Sequence, residues 1–275
     1  MKFRTIFVFI NIIIPLFLVM IFIAPGFVLG RDFAGSFWRI GWPLALILTL
    51  VLAGLDVFFV LNHRLYYLLE REDWPALIQY LETRLFRKGH YTSRLVQLLA
   101  NTYLVLSDSP AVISLENKVA IVKPALVHAN ALVFGAARIL DKDYAGAARF
   151  FETHVEATGD KRGRDAEWLR WYQGFALLLD HQYQQAAERF LVIAETSPNP
   201  LPTALSAYFL TEPLGKALYT RRGELNLAAE NGRNRIKAAL PKRAAWERDI
   251  AKLQNEVHVA ILTKYIADTS NWLYR

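Results

Sequence analysis

Catalysis or metal binding would first be sought at the six histidines, 63, 90, 128, 154, 181 and 258, and none of them stand at a metal-ligand spacing. No phosphate-binding glycine loop, nucleophile elbow, HExxH motif or pair of carboxylates set by spacing for acid–base work occurs in the 275 residues. The absence of cysteine removes thiolate nucleophiles, thiolate metal sites and disulfides. No catalytic residue, cofactor or metal site is therefore expected, and the chain is read as a non-enzyme.

Two polar features remain. Lys216, Arg221, Arg222, Arg233, Arg235, Lys237, Lys242 and Arg243 set eight positive charges against Glu224 and Glu230 within 28 positions. Such a cluster suits anionic lipid headgroups or an acidic protein surface. The plain alternative is a solvated face of two helices. Nucleic acid is not expected, because no recognition module accompanies the charge. The second feature is the pair Asn11 and Asp56, each a lone polar residue in a strongly apolar stretch. They are expected to meet at one depth and hold two helices together; Asp56 as a proton or ion site is the sharper alternative.

These stretches are the elements that must carry that pair. Residues 5–30 contain no charge, and a second run from Ile40 to Leu61 contains only Asp56. At ~1.5 Å per residue each is long enough for a ~30 Å hydrocarbon layer. The first run exceeds the ~7–15 residues of a signal-peptide core. Spans are expected at about 5–29 and 40–61, joined by a short loop carrying Arg31 and Arg39, with Trp38 and Trp42 at the headgroup level. Lys2, Arg4, Arg64 and Arg71 then lie on the opposite side, which puts both termini in the cytoplasm. Pro15 is expected to kink the first span.

Beyond residue 63 the chain holds 28 basic and 23 acidic side chains and reads as a mildly basic domain. Its strongest signal is an internal repeat. The segments Gly135–Phe151 and Gly174–Phe190 agree at 8 of 17 positions with a period of 39. Each reads as a helix, a short turn and a second helix whose alanines permit a close approach. The pattern resembles the tetratricopeptide repeat, through Trp171, Gly174, Tyr183, Ala186, Phe190 and Pro198 in one unit and Gly135, Tyr144, Ala147 and Phe151 in the other. His154 and the long period depart from that family, the extra residues being assigned to the polar loop 158–164. The resemblance implies stacked helical hairpins that bind another protein.

Weaker units are read at 65–81, around the turn Ser107–Pro110, and at 215–240 with Gly223, Leu225 and Ala228 at turn and packing positions. Trp246, Ile250, Leu253, Val257, Ile261 and Tyr265 form one apolar stripe, expected as a single capping helix; a partner-binding coiled-coil strand is the alternative. Trp168, Trp171 and Tyr172 are core residues, or less commonly the floor of a peptide groove.

The expectation is thus an all-α chain. Residues 1–63 form a two-helix transmembrane hairpin, and residues 64–275 a tetratricopeptide-like α-solenoid with best repeats 131–158 and 168–199 and capping helix 241–275. Its expected role is a membrane-anchored scaffold that assembles a protein complex at the cytoplasmic membrane surface. The alternatives are an accessory subunit of a membrane-bound enzyme or transporter, and an envelope or motor-associated structural protein with its repeats outside the cytoplasm.

Overall fold

The computed structural model describes residues 3–22, 27, 31–158, 164–253 and 256–275. The end of the first expected span, at 23–26 and 28–30, and most of the polar loop, at 159–163, lie outside the described residues. Every regular element among the described residues is a helix. The chain divides into two compact units, Met1–Arg84 and Leu85–Arg275, so the boundary falls well after His63.

In the first unit, α1 (Phe3–Phe22) packs on α2 (Arg31–Glu70). Arg31 and Arg39, expected in a loop, belong to α2, which also passes through Pro43. A continuous helix of 40 residues is roughly 60 Å long. Within it Gly41–Glu70 is the one described segment long and apolar enough to cross a membrane, and its apolar side chains are bare, Val60 being 68% exposed. A short helix, α3 (Trp74–Glu82), follows.

The second unit contains α4 (Ser93–Val105), α5 (Ser109–Val122), α6 (Ala125–Ala129), α7 (Ala131–Leu140), α8 (Tyr144–Thr158), α9 (Arg164–Leu179) and α10 (Tyr183–Thr196). Then come α11 (Pro200–Thr211), α12 (Pro213–Ala217), α13 (Arg222–Ala239), α14 (Arg243–Ala251), α15 (Val257–Ala260) and α16 (Thr263–Leu273).

Four turns share one backbone geometry. Glu72, Ser107, Lys142 and His181 all have φ between 54° and 64°. At each, the left-handed residue donates its N–H to the carbonyl three residues back, and the next residue donates to the carbonyl five back, as Asp143 does to Arg138 at 2.9 Å. This double bond satisfies the last carbonyls of the first helix and reverses the chain within three residues, making the two helices antiparallel. The second helix is capped at once: Asp73, Asp108 and Asp143 accept the N–H of Ala76, Ala111 and Gly146 at 3.2, 3.1 and 2.9 Å. Each such cap is worth ~1 kcal/mol. The left-handed residues 72, 107 and 142 are 35 apart, and 181 follows after 39, the longer interval containing the polar stretch 158–164.

Glycine and phenylalanine join the two helices of the central hairpins. A Cβ at Gly135 would lie 2.1 Å from the ring of Phe151, and one at Gly174 would lie 3.1 Å from that of Phe190. Ala147, Ala186 and both rings are fully buried. The fifth hairpin differs from expectation. Its first helix is α11, which Pro213 ends, and Gly223 falls in the first turn of α13 rather than in a turn. Gly232 brings α13 against Ala207 of α11 and the carbonyl of Ala194.

The first helices of successive hairpins, α4, α7, α9 and α11, form a contacting row. The expected capping helix is not one helix. Residues 241–275 break into α14, α15 and α16, with α15 reaching back to α7 and α16 lying on α11. The stripe from Trp246 to Tyr265 is divided between different surfaces. Trp246 and Leu253 share a surface with Leu201, whereas Tyr265 meets Phe175 and Phe209. Burial at two sites outweighs the local helical period.

The glycine contacts give a graded expectation for helix stability. Gly→Ala inside a helix gains ~1 kcal/mol of propensity, while overpacking costs about 1–3 kcal/mol. Gly135→Ala should lose about 1–2 kcal/mol and Gly174→Ala should change stability by under ~1 kcal/mol. Gly223→Ala, with nothing within 4 Å, should be neutral or stabilising. Urea unfolding of the detergent-solubilised chain, followed by circular dichroism, ranks the three; equal losses at all would contradict the packing described.

Candidate functional site

The polar pair of the first unit is joined: the Asn11 side-chain amide donates to the Asp56 carboxylate at 2.9 Å, where both residues are half-buried between α1 and α2. The bond crosses 45 residues of sequence and ties the two helices.

Most of the basic cluster makes intramolecular bonds. Arg221 pairs with Glu188 and Glu224 at 2.6 Å each, and these hydrogen bonds raise its own pKa and lower that of Glu224. Arg233 donates to the carbonyls of Leu273 and Arg275 and lies over the Trp272 ring. Arg235 donates to the carbonyls of Glu195 and Ser197, tying α13 to the α10–α11 link. Lys216 pairs with Glu212, and Arg243 with Glu247 and Asn271. Arg222, Lys237 and Lys242 have no such bond among the described residues.

Most of the repeat-signature residues belong to the core. Trp171 is fully buried and stacks on Phe175 and Phe209, at 5.1 and 5.7 Å between ring centroids. Tyr144 and Tyr183 are half-buried against that core, and Pro198 is exposed just before α11.

The principal cleft, about 350 Å³, lies on the row of first helices. Gln97 and Asn101 come from α4, His128 from α6, Ala131–Val133 from α7, and Asp165, Ala166 and Leu169 from α9. Its remaining wall is Glu256 and His258 of the C-terminal segment. His258 is 9% exposed, set edge-on to Trp168 and Tyr172, and burial lowers its pKa to about 4. Its Nε2 lies 3.3 Å from Glu256 without hydrogen-bond alignment. The Tyr172 hydroxyl, its pKa raised by burial and then by Glu256, stays protonated and donates to the His258 carbonyl at 2.5 Å.

Below one rim, His128 and His154 hold their Nδ1 atoms 3.1 Å apart. The ring centroids are 5.3 Å apart, so the two nitrogens face each other as donor and acceptor and do not converge on a third point. Burial, and then His128 and Arg138, lower the His154 pKa to about 4. Arg138 is held by both oxygens of Glu116 and covers the Phe150 ring. The lining offers amides, imidazoles and carboxylates for hydrogen bonding, and no group of three or more metal-ligating side chains occurs among the described residues.

The cleft was not found from sequence, since its residues come from four separated segments without a motif. The usable signal was α9, whose Trp168, Leu169, Trp171, Tyr172, Phe175 and Ala176 make a wide apolar face that must be covered.

Fold and site define an all-helical protein with an apolar helix long enough to cross a membrane and a polar cleft on a second compact unit. Residues 111–275 match a family described as uncharacterised Treponema protein. The chain is also 32% identical over 239 residues to an uncharacterized protein of Treponema pallidum (strain Nichols), covering 83% of this chain and 74% of that relative. The chain belongs to this family of Treponema proteins. No solved structure matches it.

The buried imidazole sets a pH dependence. Keeping His258 neutral contributes stability in full above the ordinary imidazole pKa of 6.5, and this is lost as pH falls from 6.5 toward about 4, because the unfolded chain takes up the proton first. The slope is at most ~1.4 kcal/mol per pH unit for one group. His154 acts with the same sign. Unfolding midpoints measured from pH 7.5 to 4 should fall on this limb, and His258→Leu should flatten it; an unchanged slope would assign the acid loss to other groups.

Proposed function

We propose that this protein is a membrane-anchored helical-repeat scaffold that binds another protein along its row of first helices and assembles a complex at the cytoplasmic face of the bilayer. The anchor is a two-span hairpin. In support, α1 runs for 20 residues, ~30 Å, with no charge after Arg4, and it is bonded to α2 through Asn11 and Asp56. The balance of Lys2, Arg4, Arg64 and Arg71 against Arg31 and Arg39 supports cytoplasmic termini.

A tetratricopeptide-like reading of the hairpins draws support from the four equivalent turns, the 35-residue interval and the ring-on-glycine contacts. The observation that carries the binding reading is the open cleft on the first helices, lined by Gln97, Asn101, Asp165 and Glu256. Such a row is where repeat arrays present an extended contact surface.

Two measurements test this. Reporters active on one side of the membrane, fused after Arg275, should give cytoplasmic signal; signal from the other side would overturn the two-span anchor and move the domain. A photo-crosslinking residue at Gln97 or Asn101, in the cell of origin, should trap one adduct of defined mass, and the same residue at the exposed Leu227 should not. No adduct from the cleft, or equal adducts from both places, would remove the binding reading.

A further inference from the structure

Helices α4–α13 pack in chain order, each on its sequence neighbours or on a helix of the next hairpin. The C-terminal segment breaks this order: α15 reaches α7, and α16 lies along α11. It runs over the row of first helices that the proposed function assigns to a partner. Tyr265 sits edge-on to Phe175 and Phe209, at 5.5 and 5.1 Å between centroids, and Trp272, seven residues on, sits edge-on to Tyr208 at 6.2 Å. Leu262 and Leu273 are fully buried. This is the geometry of an amphipathic helix laid in a groove, with ligand and groove on one chain.

We propose that residues 256–273 are an internal ligand: a terminal segment docked in cis that closes the α9–α11 stretch of the row to any partner and, through Glu256 and His258, builds the wall of the open cleft. The proposal rests on the reading of that row as a binding surface and adds its regulation. Three observations carry it.

The segment stands outside the hairpin order, with α15 on α7 and α16 on α11. It consists of helices of 4 and 11 residues, too short to hold helical order alone, so its order comes from docking. The docked state also buries polar atoms without hydrogen-bond partners among the described residues, Trp168 Nε1 in the row and His258 Nε2, Thr269 Oγ1 and Ser270 Oγ in the segment. Water would satisfy each of these on release. Burial of Leu262 and Leu273 and the packing of Tyr265 oppose release. Occupation of the open cleft favours the docked state, because two of its lining residues belong to the segment.

A labelled peptide of residues 252–275 tests this on the full chain in detergent. Carrying Tyr265→Ala and Trp272→Ala, the chain has a weakened internal ligand and should bind the peptide about tenfold or more tightly than the wild-type chain does. A peptide with the same two alanines should bind neither. Equal binding to both chains, or binding to neither, would overturn the proposal.

Tyr172→Phe gives a second readout that does not depend on the double variant folding. It removes only the hydroxyl that holds the His258 carbonyl. Hydrogen exchange at residues 257–273 should quicken by about tenfold while α7 and α8 are unchanged; a uniform change across the unit would show the segment to be inseparable core. Because the probe is the chain's own sequence, these results are independent of the cleft adduct: a missing adduct removes the partner, and a failed exchange removes the internal ligand.

Discussion

Helix α9 is enclosed on almost every side. Trp168, Trp171, Tyr172 and Ala176 are fully buried, Phe175 and Leu177 nearly so, and even Glu167 and Gln173 on its polar side are only 8% and 3% exposed. An apolar face this wide must be covered. The hairpin pattern encloses it on three sides, with α8 and α10 as its sequence neighbours and α7 and α11 as the adjoining first helices. The remaining side is covered by the C-terminal segment, through His258 and Tyr265. The requirement to bury one helix thus accounts for the single departure from chain-order packing, and it leaves the cleft beside α4 and α7 as the part of the row that remains open.

Much of the repeat architecture was legible in sequence because its determinants are local. The glycine, the two alanines and the phenylalanine of each central hairpin meet as their spacing predicts, and the Asp or Gln before each second helix marks the turn. The interval was harder to see. A helix-ending turn in the left-handed conformation is usually marked by glycine, and here Glu72, Ser107, Lys142 and His181 occupy it. Asp73, Asp108 and Asp143 carry the 35-residue interval instead, hidden behind the longer step between the two best-matching units. The fifth hairpin was misread because its link is long and itself helical, so that Gly223 imitated a turn residue from inside α13.

The candidate site was less legible, for a different physical reason. Charge counts record how many cations a segment holds and not where their partners lie. Arg221, Arg233 and Arg235 find carboxylates and carbonyls 33 to 42 residues away in sequence, and their positive charge serves to fasten α13 to α10 and to the chain end. Asn11 and Asp56 lie as far apart in sequence, and their meeting was predictable because an apolar stretch offers a polar side chain so few other partners. In a polar helix the choice of partner is wide, and tertiary structure decides it.

On the proposed reading, helix α2 gives the anchor a mechanical character that composition does not reveal. Its apolar stretch ends near Leu61, yet the helix continues to Glu70 and enters the first hairpin turn without a break. Tyr67 and Arg71 continue on that extension, the guanidinium 5.0 Å from the ring centroid, and Arg64 and Arg84 both lie over Tyr80 of α3. A loop at this point would let the hairpin swivel on its anchor, since flexible residues absorb rotation without cost in packing. A continuous helix braced by α3 carries rotation and tilt from the apolar stretch into the first turn. On the proposed reading, orientation of the first hairpin at the membrane is therefore set by the anchor itself rather than left to a linker.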